Sequence, residues 1–119
     1  SNNVISAPPP SVTVTMPKVV TAKAGVVLLS GKLVIKATNV PKVTIRITSP
    51  RGQFLVTGGG VKIAGNRSRN LTLIGTPAKI NAALKTLKLM LGKGHGQAKL
   101  QVTTLGGAKT GKGTITVRF

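Results

Sequence analysis

The fold is indicated first by a stretch in which apolar and polar residues alternate without interruption, VTIRIT at residues 43–48. Successive side chains of a β-strand point to opposite faces, so Val43, Ile45 and Ile47 would share one face of a sheet. The same alternation appears at residues 12–16, 98–103 and 114–119. Turn-forming residues separate the short apolar runs about every 8–12 residues. We therefore predict an all-β sandwich of about seven to nine strands.

One stretch departs from this alternation and has the features of a helix start. Thr76 can cap a helix, and Pro77 suits its first position. Ile80, Leu84 and Leu87 follow at the spacing of one helix face. The sequence thus predicts one short helix near residues 77–85.

The chain of 119 residues has the length of a single domain. Because three consecutive prolines end at Pro10, we expect residues 1–10 to form a Pro-rich linker and residues 11–119 a single sandwich domain. Phe54 and Phe119 are the only aromatic residues, so the core must be aliphatic. The sequence has no Cys and no apolar run long enough for a transmembrane helix.

The charge balance is extreme, with 18 Lys and Arg, no Asp or Glu, and a formal net charge of +18. Domains ordinarily carry both signs, so the absence points either to selection against carboxylates or to their deliberate replacement in a supercharged variant. No salt bridge between side chains can form. Such a chain should repel copies of itself, stay monomeric in isolation, and bind polyanions.

The same composition excludes most catalytic chemistry. Acid–base pairs and Ser–His–Asp triads need a carboxylate that the sequence lacks. His95 is the single His and cannot form a zinc site without further ligands. Residues 106–113 approach the phosphate-binding loop pattern, but Gly113 replaces its hydroxyl residue and a strand is expected to follow instead of a helix. We predict a protein that is not an enzyme and that has no metal and no cofactor.

Residues 71–87, LTLIGTPAKINAALKTL, resemble a segment of the cadherin-like repeats of large bacterial surface adhesins. In that family a strand ending in a Gly-Thr turn is followed by a short helix and a further strand. Residues 98–105 and 114–117 resemble the last hairpin of the family. The resemblance implies an immunoglobulin-like or cadherin-like sandwich, an extracellular or cell-surface location, and neighbouring tandem repeats.

The resemblance does not extend to the calcium ligands. Members of the family often hold calcium between carboxylates near the end of an early strand and at the final hairpin. Here those segments read IKATN at residues 35–39 and TTLGG at residues 103–107, and Lys79 stands where relatives commonly have an acidic residue. Calcium takes about six to eight oxygen ligands, often from carboxylates. We therefore expect a calcium-independent module.

Three functions are compatible with these features. The first is an extracellular structural or adhesion module with a strongly cationic surface, and it has no small-molecule substrate. The second is a module that binds polyanions (sulfated glycan, lipopolysaccharide or nucleic acid) without sequence preference, since no aromatic residues are available for base stacking. The third is a filament subunit that assembles by strand addition through residues 12–16. The candidate polyanion contacts are Lys42, Arg46, Arg67, Arg69, Lys93, Lys109 and Lys112.

Overall fold

The computed structural model describes residues 9–106 and 110–119 and shows eleven strands and one helix in them. The strands are β1 (Ser11–Thr15), β2 (Val19–Thr21), β3 (Val26–Leu28), β4 (Val34–Thr38), β5 (Val43–Thr48), β6 (Gln53–Leu55), β7 (Lys62–Ala64), β8 (Asn70–Gly75), β9 (Lys88–Met90), β10 (Gln97–Leu105) and β11 (Gly111–Arg118), and the helix is α1 (Pro77–Leu84).

The predicted all-β sandwich with one short helix is confirmed. The structure has more strands than the predicted seven to nine, and five of them have only three residues each: β2, β3, β6, β7 and β9. Residues 1–8 of the predicted linker lie outside the described residues. No helix in the described part of the chain is long and apolar enough to cross a membrane.

Six strands form the large sheet, in the order β2-β11-β10-β5-β8-β7. Neighbours run antiparallel except β2, which runs parallel to β11. In the central strand β5, Val43, Ile45 and Ile47 are fully buried, whereas Arg46 is exposed. The alternation at residues 43–48 therefore marks a strand with one face in the core and one in solvent, as predicted.

The opposite layer consists of two small sheets, β1-β4 and β3-β9-β6. Their inward side chains meet those of the large sheet in a single aliphatic core, in which Phe54 is the only buried aromatic residue. Each fully buried Leu, Ile or Val stabilises the fold by roughly 1.5–3 kcal/mol relative to an exposed one. Apolar burial thus holds the layers together in a chain that cannot form disulfides or side-chain ion pairs.

Near its start, the chain passes from one layer to the other at Pro17, between β1 and β2. Before it, β1 pairs along its whole length with β4. After it, β2 joins the edge of the large sheet, with Val20 opposite Val117. Proline has no N–H for a strand ladder, so the ladder ends there and the chain crosses to the other layer.

The helix also closes an open strand edge. Thr76 caps α1 as predicted, since its Oγ1 accepts a hydrogen bond from the Lys79 N–H at 3.4 Å. On the next turn, Asn81 Oδ1 accepts from the Ile35 N–H at 2.7 Å, and Asn81 Nδ2 donates to the Ile35 carbonyl at 2.9 Å. Because β1 occupies the other edge of β4, the Asn81 amide replaces a neighbouring strand for one residue.

A second asparagine closes the edge beside β6 in the same way. Asn66 Oδ1 accepts from the Val56 N–H at 3.2 Å, and Asn66 Nδ2 donates to the Val56 carbonyl at 3.1 Å. The backbone of Arg67 donates to the Phe54 carbonyl at 2.7 Å in the same loop. Covering an edge in this way removes a template for unwanted strand pairing.

Candidate polyanion-binding face

The outer face of the large sheet carries five exposed cations, and we call it the cationic face. Each of its cations is exposed and occupies an outward strand position; for example, Lys99 lies between the buried residues Ala98 and Leu100. No Asp or Glu exists anywhere in the sequence to neutralise them. The cations of this face are Arg46, Lys62, Lys99, Lys112 and Arg118.

The strand register places two of these cations in one row across the sheet. Arg46 on β5 lies opposite Thr72 on β8 and Thr103 on β10. Thr103 in turn lies opposite Lys112 on β11. Strands are spaced by about 4.8 Å, so the backbones at Arg46 and Lys112 are about 10 Å apart with a threonine between them.

The adjacent row of the face is neutral and hydrogen-bonding. It consists of Asn70, Thr48, Gln101 and Thr114 on the same four strands. The Thr114 hydroxyl donates to Gln101 Oε1 at 3.0 Å. Hydroxyl and amide groups both donate and accept, so this row can bind polar ligands without adding charge.

Two of the sequence-predicted contacts are brought together by the fold, namely Arg46 and Lys112. Lys42 lies just before β5, at one end of the sheet, and lines a shallow surface hollow with Lys62 and Thr76. Lys109 lies outside the described residues. Lys42 therefore borders the cationic face, while Arg46 and Lys112 belong to it.

The remaining predicted contacts lie beyond the opposite end of β5. The Arg69 guanidinium donates from Nη1 to the Pro50 carbonyl at 3.2 Å and so holds the loop after β5. Arg67 has φ 64°, and its backbone bond to β6 places it in the same loop region. The Lys93 carbonyl accepts from Arg51 Nη2 at 3.1 Å. The structure thus does not place these cations on the cationic face.

Sequence reasoning did not select Lys62, Lys99 or Arg118 as candidate contacts. Alternation alone marks Lys99 and Arg118 as outward-facing, Lys99 between two buried neighbours and Arg118 directly after the buried Val117. What it does not reveal is that β7, β10 and β11 belong to one sheet, which depends on the strand order.

A second group of polar residues surrounds the loop of residues 92–96, where a shallow cavity is lined by Lys93, His95 and Phe119. Arg51 stacks on the Phe119 ring with 4.4 Å between the guanidinium carbon and the ring centroid. Since this guanidinium also bonds the Lys93 carbonyl, it organises the loop. In the ranges 9–106 and 110–119, no three His, Cys, Asp or Glu side chains come together as metal ligands would.

The glycine-rich segment at residues 106–113 leads into a strand. β11 begins at Gly111 and continues to Arg118. A phosphate-binding loop would instead lead into a helix whose N-terminus receives the phosphate. The expected strand is therefore confirmed, and it begins within the segment at Gly111, while residues 107–109 lie outside the described residues.

Comparison of the chain with protein-family models, with curated proteins and with solved structures finds no significant match in any of the three. The resemblance to cadherin-like adhesin repeats, carried by residues 71–87, accordingly stays a prediction.

Proposed function

We propose that this protein is a non-enzymatic, extracellular adhesion module that binds polyanions through its cationic face without sequence preference. The observation that carries the proposal is that Arg46, Lys62, Lys99, Lys112 and Arg118 all lie on one solvent-facing sheet surface of a chain with no Asp or Glu.

The electrostatic support is simple. All charged side chains have the same sign, so the field of each cation adds to that of its neighbours at the surface. A polyanion that contacts several of them releases its condensed counterions, which favours binding. Exposed single ion pairs are individually weak, so several simultaneous contacts are needed for useful affinity.

The expected lack of sequence preference follows from what the face does not contain. Single-stranded nucleic acids are usually held by aromatic side chains that stack on the bases. Phe54 is buried in the core, and Phe119 stacks on Arg51 away from the face. Contacts to a nucleic acid would therefore reach its phosphates and carry no base information.

The adhesion and extracellular parts of the proposal are supported by the resemblance of residues 71–87 and by the closed strand edges. A rigid sandwich whose edges are covered by Asn81 and Asn66 suits a spacer or surface module. Assembly into filaments through residues 12–16 is less well supported, because β1 already pairs with β4 over five residues and would have to be released.

The test is the salt dependence of binding. We would measure the affinity of the chain for heparin and for two single-stranded DNAs of equal length and unrelated sequence, from about 0.05 to about 0.5 M NaCl. Five phosphate contacts predict a slope of log affinity against log salt near −3.5 for single strands, at about −0.7 per contact. The two DNAs should bind equally. Absence of binding to every polyanion at about 0.15 M NaCl would overturn the proposal.

A further inference from the structure

The centre of the cationic face is one arginine within a group of hydroxyls. Thr44 and Thr48 lie two residues before and after Arg46 on the same side of β5, and Thr72 and Thr103 lie directly opposite it on the two neighbouring strands. All four threonines are partly exposed. Arg46 is therefore bordered in all four directions by groups that can donate and accept hydrogen bonds.

Across the strands, hydroxyl and cation alternate. The row runs Thr72, Arg46, Thr103, Lys112 over β8, β5, β10 and β11. The row beside it, from Asn70 to Thr114, offers only neutral amides and hydroxyls. A ligand complementary to both rows has anionic groups about 10 Å apart, two strand spacings, and hydroxyls between and beside them.

This pattern distinguishes among polyanions. Polyphosphate can accept hydrogen bonds from the threonines and amides, but it has no sugar hydroxyls that could donate to their oxygens. A nucleic acid presents bases that need aromatic partners, which the face lacks. An acidic polysaccharide carries sulfate or carboxylate groups separated by hydroxyl-bearing sugar units, and its C–H surfaces can pack on the threonine methyls.

We propose that the cationic face is a binding site for an acidic polysaccharide lying across β8, β5, β10 and β11, with anionic groups on Arg46 and Lys112 and sugar hydroxyls on the intervening threonines and amides. The inference rests on the proposed function and assigns its ligand class, the residues of the site and the direction of the bound chain.

The experiment compares three variants by binding to dextran sulfate, polygalacturonate, polyphosphate and single-stranded DNA at equal concentrations of anionic groups. Arg46→Gln/Lys112→Gln removes two cations from the row. Lys36→Gln/Lys88→Gln is the matched control, because both residues are exposed on the other layer and both double variants change the formal charge from +18 to +16, that is 18 − 2. Thr72→Val/Thr103→Val removes two hydroxyls and leaves the charge unchanged.

The Arg46/Lys112 variant should bind both polysaccharides about fivefold more weakly, and the Lys36/Lys88 control less than about twofold more weakly. The threonine variant should also bind both polysaccharides about fivefold more weakly while binding polyphosphate within about twofold of the original chain. Urea midpoints no lower than that of the original chain would show that the variants are folded. Comparison of dextran sulfate with polygalacturonate shows whether the site binds sulfate or carboxylate groups more tightly.

Several outcomes would overturn the inference while leaving the proposed function in place. Equal losses of polysaccharide affinity in the Arg46/Lys112 and Lys36/Lys88 variants would show that the row of Arg46 and Lys112 is not the binding site. Full polysaccharide binding by the threonine variant, or tighter binding of polyphosphate or DNA than of both polysaccharides, would remove the ligand class. Amide chemical shifts on β8, β5, β10 and β11 should all change when the polysaccharide binds. Changes confined to Lys99 and Arg118 would show that the polysaccharide does not lie across these four strands. If the unmodified chain binds none of the four ligands, the proposed function itself falls.

Discussion

Replacing Asn81 by Ala should destabilise the fold far more than its half-buried position on a short helix suggests. The Asn81 amide makes two hydrogen bonds, at 2.7 and 2.9 Å, to the N–H and carbonyl of Ile35. Ile35 is 3% exposed, so its peptide groups have little access to water. Asn81→Ala removes both partners and leaves the edge of β4 open at this residue.

The magnitude follows from these contacts. Each buried peptide group left unpaired costs about 1–3 kcal/mol. Alanine favours the helix over asparagine by roughly 0.5 kcal/mol, which offsets a small part of the loss. Because Asn81 is itself half-buried, water can reach part of the vacated site, and we expect a net loss of about 2–3 kcal/mol in the free energy of unfolding.

The assay is urea denaturation followed by circular dichroism at one fixed NaCl concentration. Urea is preferable to guanidinium chloride, since the latter is a salt and would screen the repulsion within a chain of charge +18. Ala82→Asn is the control: it places the same amide on the exposed side of the same helix and should cost only about 0.5 kcal/mol. If Asn81→Ala lost no more stability than Ala82→Asn, the Asn81 amide would not contribute to stability through its bonds to Ile35.

Two further predictions concern the core and the charge. Thr104 is fully buried, and its hydroxyl has no hydrogen-bond partner among the described residues. Thr104→Val should therefore raise the free energy of unfolding by about 1 kcal/mol in urea titrations. A decrease in the free energy of unfolding would show that the hydroxyl is bonded in solution. Every pair of charged side chains repels, so raising NaCl from about 0.01 to about 0.5 M should raise the free energy of unfolding by at least about 1 kcal/mol. Lowering the pH from 7 to about 3 at fixed ionic strength should change the free energy of unfolding by less than about 0.5 kcal/mol, because no carboxylate side chain takes up protons. A fall in stability with salt, or a steep acid transition, would contradict this account.

The proposed site was predictable only in part. Alternation marks Arg46 as outward-facing, and the lack of carboxylates is the basis for predicting a polyanion ligand. The other predicted cations divide among different places: Arg69 bonds Pro50 in a loop, and Lys93 lies in the loop held by Arg51. The cations in loops could not be assigned to a face, because no local sequence pattern indicates which loop lies beside which sheet.

Local patterns in the sequence were enough to predict which side chains are buried in the longer strands and where the helix begins, and composition alone shows that every charged side chain is positive. These are local properties, because side-chain direction repeats every two residues in a strand and helix capping involves residues within one turn. Three features became visible only in the folded chain: β8, β5, β10 and β11 lie side by side, the chain passes from one sheet to another at Pro17, and Asn81 bonds to Ile35. Strand order and edge closure depend on how distant segments pack around one shared core, and alternation carries no information about a strand's neighbours.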